Sequence, residues 1–294
     1  MQQGCRLCPR RCGADRAHGQ LGVCRAPASP TLARAAAHFG EEPCISGTRG
    51  SGAVFFSGCS LGCVFCQNAA ISRGEAGRTV SVPELRRIFE RLCAQGVHNL
   101  NLVTPTHYAG VIAQALRMGP LPVPVVWNSS GYERVETLRA LEGLVQIWMP
   151  DYKYALPELA GRCSGAPDYP ETARAALREM YRQAGPFKLD ENGLLCRGVL
   201  VRHLVLPGQV ENSLLALEQL AGTLPPKHIL LSLMAQYTPM PGSAAIPGLS
   251  RTVTQAEFDQ VLLHMERLGF ENGFYQDPSA AGEEMIPDFD LTGV

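Results

Sequence analysis

No run of roughly 18 uninterrupted apolar residues occurs in the 294-residue chain, so no segment reads as a membrane-spanning helix. Net charge is nearly absent: 26 Lys and Arg against 27 Asp and Glu leave −1. That balance provides no electrostatic footprint for nucleic acid or for an anionic membrane. The opening residues, Met1-Gln2-Gln3-Gly4-Cys5, lack the apolar core of a secretory signal, so a cytoplasmic location is expected. There is no internal repeat, low-complexity tract or flexible linker. The length, with 46% hydrophobic residues, suits one large α/β domain or two ordinary ones.

Cysteine, by contrast, is plentiful. The chain has 11, an odd number. Without an export signal thiols stay reduced, so tight groups of them read as metal sites rather than disulfides. Cys44, Cys93, Cys163 and Cys196 are scattered and read as small buried hydrophobes. The other seven form two groups. Cys59, Cys63 and Cys66 make C-x3-C-x2-C directly after the apolar run Ala53-Val54-Phe55-Phe56. Three thiolates at this spacing can hold three irons of a 4Fe-4S cluster and leave the fourth iron without a protein ligand, open for chemistry. A zinc knuckle is the alternative, but structural zinc takes four protein ligands and no fourth Cys or His stands adjacent. Cys5, Cys8, Cys12 and Cys24 make C-x2-C-x3-C-x11-C, a complete four-thiolate site. Zinc would make it a structural staple. A second 4Fe-4S cluster would make it an electron relay, a substrate anchor or a staple. The spacing leaves zinc and iron–sulfur both open.

Hydrophobic periodicity sets the fold expectation. Strands are expected over 54–57, 100–103, 123–127, 145–149, 198–206 and 229–234, with a further one around 32–38. Helices are expected over 82–95, 109–118, 133–141, 171–184, 212–221 and 254–268. Ser81 with Glu84 and Thr254 with Glu257 have capping-box spacing. Alternating strands and helices imply parallel strands joined by right-handed crossovers. Six units predict an α/β fold, a partial (β/α)6 TIM-like barrel, whose reactive groups gather at the C-terminal ends of the strands. The expected domains are 1–50, a Cys-rich metal module and arm; 51–270, the barrel; and 271–294, an irregular tail.

The order strand, C-x3-C-x2-C, helix and further βα units resembles the radical S-adenosylmethionine (SAM) superfamily. Within it the chain is similar to the pyruvate formate-lyase activating enzyme group and its PflX-type branch. The runs that carry this are Glu42-Pro43, Ile45 to Gly52, Phe55 to Cys59, Val103 to Tyr108, Trp127 to Tyr132, Asp151 to Tyr154, Val201 to Gly208, Ile286 to Asp290 and Gly293-Val294. The resemblance implies that S-adenosyl-L-methionine chelates the open iron and is cleaved by one electron to a 5′-deoxyadenosyl radical, which abstracts hydrogen from a substrate. A glycyl-radical enzyme would be one such substrate. It implies flavodoxin or ferredoxin as reductant and a protein substrate as partner. A non-catalytic iron–sulfur or SAM-binding module is the alternative reading.

The resemblance also assigns residues. Phe65 would pack on the adenine and Asn68 would hydrogen-bond SAM. After the second barrel strand, Thr104-Pro105-Thr106-His107 stands where activating enzymes carry Gly-Gly-Glu for the SAM amino group. Thr106, the Thr104 carbonyl or His107 would then accept that bond. Asn128 and Ser129, with Met149, Asp151 and Lys153, would supply oxygens for a monovalent cation and an Asp-x-Lys pair beside the SAM carboxylate. A structural salt bridge is the alternative for that pair. Arg202 and Leu204 would touch SAM, Arg202 through paired hydrogen bonds to a carboxylate. Gln236 and Tyr237 would reach the adenine or ribose.

Overall fold

The computed structural model describes residues 4–276 and 287–294, so Ile286 lies outside the described residues. The strands are β1 (Thr31–His38), β2 (Ser51–Phe56), β3 (Arg78–Thr79), β4 (Leu100–Val103), β5 (Val125–Ser129), β6 (Ile147–Pro150), β7 (Lys188–Leu189), β8 (Leu195–Leu204), β9 (Leu230–Met234) and β10 (Gly273–Tyr275). The helices are α1 (Pro43–Ser46), α2 (Ala69–Ser72), α3 (Val82–Ala94), α4 (Ala109–Arg117), α5 (Val135–Arg139), α6 (Pro157–Ser164), α7 (Tyr169–Ala184), α8 (Val210–Ala221) and α9 (Gln255–Arg267). Among the described residues no helix is long and apolar enough to cross a membrane.

The sheet runs β10-β9-β8-β6-β5-β4-β2-β1-β3. Pairing is parallel from β2 through β4, β5, β6, β8 and β9 to β10. This is the expected open barrel, with two corrections. A seventh parallel strand, β10, lies in the stretch expected to be an irregular tail. Its three residues alternate without an apolar run, and Gly273 is required because a Cβ there would stand 1.9 Å from the Leu231 carbonyl oxygen. At the opposite edge the strand expected around 32–38 forms as β1 and pairs antiparallel with β2, so this part of the expected 1–50 module joins the barrel sheet.

Strand alternation separates the two larger apolar clusters of the core. Val125, Trp127, Trp148, Val199, Val201, Leu231 and Leu233 pack under the helices with Leu85, Ile88, Phe89 and Leu92 of α3. Val126, Ile147, Met149, Leu200 and Leu230 face the other way and pack on Cys44 and Ile45 of α1. That apolar plug sits toward the beginnings of the strands. The same inward register, two to four residues on, delivers Phe55, Val103, Asn128, Arg202, Leu204 and Met234 to a cleft at the strand ends. Both capping boxes form: Ser81 accepts from the Glu84 N–H, and Thr254 from the Glu257 N–H.

Candidate functional site

The cleft has a volume of about 260 Å³. Cys59, Cys63 and Cys66 all line it, with Phe65, Gln67 and Asn68 of the same loop. Its shape is fixed from behind. The Val64 N–H donates to the Cys163 carbonyl at 2.9 Å, the Ser164 hydroxyl donates to Cys63 Sγ at 3.1 Å, and the Leu61 N–H points at Cys59 Sγ at 3.4 Å. Burial pushes the Cys59 thiol up to about 12, and negative charge on Cys63 and Cys66 adds to the effect. Burial and Cys63 likewise raise Cys66, against the opposing pull of Ser72 and Lys153. Thiols packed this way stay protonated alone, whereas a bound cation deprotonates its thiol ligands outright. Among the described residues no three Cys, His, Asp or Glu side chains converge as ligands of one ion do. A cube carries its irons at separate corners, so its thiolates need not converge. A three-sulfur donor set facing a cleft therefore fits a cluster with one corner free.

Opposite the cysteines, Lys153 Nζ lies 2.6 Å from Asp151 Oδ2, and both side chains are mostly buried. Burial alone would lower the Lys153 ammonium, but Asp151 and the thiolate positions Cys63 and Cys66 outweigh it and hold the group charged. The loop carrying this pair is tied on every side. The Asp151 N–H donates to the Ser129 carbonyl at 2.9 Å and the Tyr152 N–H to the Arg202 carbonyl at 2.8 Å. The Tyr169 hydroxyl sits 2.9 Å from the Asp151 carbonyl and accepts the Lys153 N–H at 2.9 Å. His203 donates from Nδ1 to the Tyr152 carbonyl at 2.6 Å and accepts at Nε2 from the Ser213 hydroxyl at 2.9 Å. Gly131 is needed for this closure, because a Cβ there would stand 2.2 Å from the Asp151 carbonyl oxygen.

Of the remaining expected residues, Asn128, Ser129, Arg202, Leu204, Gln236 and Tyr237 all border the cleft. Phe65 makes edge contacts with Tyr237 and Tyr154 at 6.0 and 6.3 Å between ring centres. Thr104 also lines the cleft and has φ of 58°, an uncommon strain for a β-branched residue.

Thr106 and His107 are not brought to the cleft. Thr106 donates to buried Glu133 at 2.7 Å, as does Trp127 Nε1 at 3.0 Å. Burial raises the Glu133 carboxyl to about 7, despite those two donors. His107 donates from Nε2 to the Ser57 carbonyl at 2.9 Å, and burial lowers it to about 4, so it is a neutral brace beneath the cysteine loop. Arg202 reaches the cleft already engaged. Its Nε donates to Glu42 at 2.9 Å, and its Nη2 contacts both Glu41 and Glu42. Glu41 also accepts from Asn101 at 2.7 Å and from Asn128 at 3.4 Å. These two glutamates are cleft residues that pattern alone did not mark as such. The signal available was only an acidic pair before Pro43 and a buried-strand arginine in need of a partner.

At the N-terminus Cys8 and Cys24 are buried, Cys5 is half-buried and Cys12 is exposed. Burial raises the Cys8 thiol to about 11, and charge on Cys24, Cys5 and Cys12 adds to the effect. Of the scattered cysteines, Cys44 and Cys163 are buried as expected, whereas Cys93 is half-buried and Cys196 is exposed.

No family model matches the chain. It is 27% identical over 282 residues to an uncharacterized protein of Methanocaldococcus jannaschii, covering 92% of this chain and 76% of that one. Among solved structures it is similar to Streptococcus suis SuiB bound to the precursor peptide SuiA, with 12% identity and a TM-score of 0.51. That match spans 74% of this chain and 46% of SuiB, less than half its length. A domain of a pyruvate-formate lyase-activating enzyme from Bacteroides vulgatus matches at 14% identity, covering 67% of this chain and 91% of that domain, with a TM-score of 0.39. SuiB is the neighbour that carries weight, and the fold it shares with this chain is a partial, TIM-like α/β barrel.

Proposed function

We propose that the protein is a radical SAM enzyme whose 4Fe-4S cluster is held by Cys59, Cys63 and Cys66. The observation that carries this reading is the meeting of three cysteines and the Asp151–Lys153 pair in one cleft at the ends of parallel strands. A bound cluster would supply the single electron that splits the sulfonium of SAM to a 5′-deoxyadenosyl radical. The chain's own residues then bind and orient. Lys153 offers a held positive charge for the SAM carboxylate. Glu41 offers a carboxylate oxygen on the cleft wall for the SAM amino group, where Thr106 and His107 are turned away. Phe65 and Tyr237 form an apolar wall for the adenine. Asn128 and Ser129 carry oxygens at the β5 end, where a monovalent cation would sit, and Gln236 and Asn68 add polar contacts.

A peptide or protein substrate, as for an activase, follows from the resemblance, and so does flavodoxin or ferredoxin as reductant. Anaerobic protein reconstituted with iron and sulfide, reduced with dithionite and mixed with SAM is expected to release 5′-deoxyadenosine. Cys66→Ala is expected to release none. Equal release from the variant contradicts the assignment, and binding of SAM with no cleavage in the wild type favours a SAM-binding module instead.

A further inference from the structure

The two cysteine groups are in direct contact through one ligand position of each. The Cys59 N–H donates to the Cys24 carbonyl at 3.2 Å. Gly58 clears the space for it: with φ of 87°, a Cβ there would stand 2.5 Å from the Cys24 carbonyl oxygen. The spacers between ligands are also joined. Arg10, between Cys8 and Cys12, donates from Nε to the Ser60 carbonyl at 2.9 Å and from Nη2 to the Leu61 carbonyl at 3.3 Å, both between Cys59 and Cys63. The same guanidinium reaches the Ser164 carbonyl at 2.6 Å, beside the hydroxyl that contacts Cys63. It lies 5.3 Å from the centre of the Tyr132 ring. A staple that only closed the N-terminus would need none of this. The contacts place the Cys8–Cys12 loop and Cys24 immediately behind the three-thiolate loop. Cys12 is exposed to solvent, and Cys24 is buried against Cys59.

We propose that Cys5, Cys8, Cys12 and Cys24 hold a second 4Fe-4S cluster that passes single electrons to the site at Cys59, Cys63 and Cys66. The relay rests on the function proposed above; the second cluster does not. In each transfer a one-electron donor protein of the ferredoxin or flavodoxin class loses one electron. The N-terminal cluster gains it and gives it up as the other cluster is reduced by one, with no atom or proton exchanged. The path runs through two cysteine side chains and one peptide hydrogen bond. The solvent-exposed Cys12 side is where the donor would dock.

Metal content and magnetic resonance test this without a turnover assay. Anaerobically reconstituted wild type is expected to hold about eight irons and about eight sulfides per chain, and the Cys59→Ser/Cys63→Ser/Cys66→Ser variant about half of each. The dithionite-reduced variant is expected to show the paramagnetic signal of one reduced cube. The fully reduced wild type is expected to show spin–spin splitting or broadening absent from that variant and from Cys5→Ser/Cys8→Ser/Cys12→Ser/Cys24→Ser. Zinc with about four irons in the wild type overturns the proposal, whether or not the variants fold. Two signals that merely sum overturn the relay and leave the second cluster. If the wild type itself carries only the N-terminal cube, the relay fails and the function proposed above fails with it, but the second cluster stands.

Discussion

Arg202 faces two carboxylates, Glu41 and Glu42, and all three side chains are largely buried at the cleft wall. Burial would raise the Glu42 carboxyl, but the guanidinium outweighs it and holds the group below its ordinary range. Removing one member of such a group leaves buried charge without a partner. Arg202→Met is therefore expected to cost about 3–5 kcal/mol of stability, read as a lower denaturation midpoint. Both glutamates border the cleft and one guanidinium cannot neutralise two carboxylates; Glu41 is the one also joined to Asn128 at the β5 end. Glu41→Gln is expected to weaken SAM binding about tenfold, a loss of about 1.4 kcal/mol, in equilibrium dialysis. Unchanged affinity would leave the SAM amino group without this acceptor. Glu133 gives a pH signature. Its carboxyl titrates near 7 in the fold against an ordinary 4.5, so between those values the native state binds more protons than the unfolded chain. Stability then falls as pH rises through that window, by on the order of 3 kcal/mol for this group alone. Glu133→Gln is expected to flatten the slope of unfolding free energy between pH 4.5 and 7, and an identical slope would contradict the buried-acid account.

At the scale of elements, the helices that begin with a capping box were the most legible parts of the chain. α3 and α9 start where Ser81 and Thr254 stand, because each cap satisfies orphan N–H groups by a local rule. Ser81→Ala and Thr254→Ala are each expected to lower stability by about 1 kcal/mol, additively in the double variant. The six long parallel strands were legible for a similar reason, as apolar runs buried on both faces. β3, β7 and β10 were not, since each is two or three mostly exposed residues without an apolar run; β3 and β10 pair with strands about 40 residues or more away, and β7 folds back on the start of β8. The same limit applies to the site. The cysteine loop is contiguous and could be read directly. The partners of Arg202 lie 160 residues before it, and only the assembled barrel brings β8 against the segment leading into α1. Thr106 and His107 turned away for a related reason: Glu133 and the Ser57 carbonyl, both outside their own strand, satisfy them in the interior.

For the whole molecule, the turn after β4, the end of α6 and the N-terminal module converge on one loop. His107 braces the Ser57 carbonyl, Arg10 holds the Ser60 and Leu61 carbonyls, and Ser164 contacts Cys63. Three separate parts of the chain thus fix the position of a short cysteine segment, as a site must when a reactive group is to be held rigidly. The measurement that tests the central claim most directly is electron–nuclear double resonance on the reduced, reconstituted protein mixed with SAM labelled with nitrogen-15 at the amino group and carbon-13 at the carboxylate. Chelation of an open iron predicts hyperfine coupling from both labels, lost in Cys66→Ala. Reduced cluster signal with no coupling from either label would mean that the polypeptide leaves no corner free, and would contradict the account.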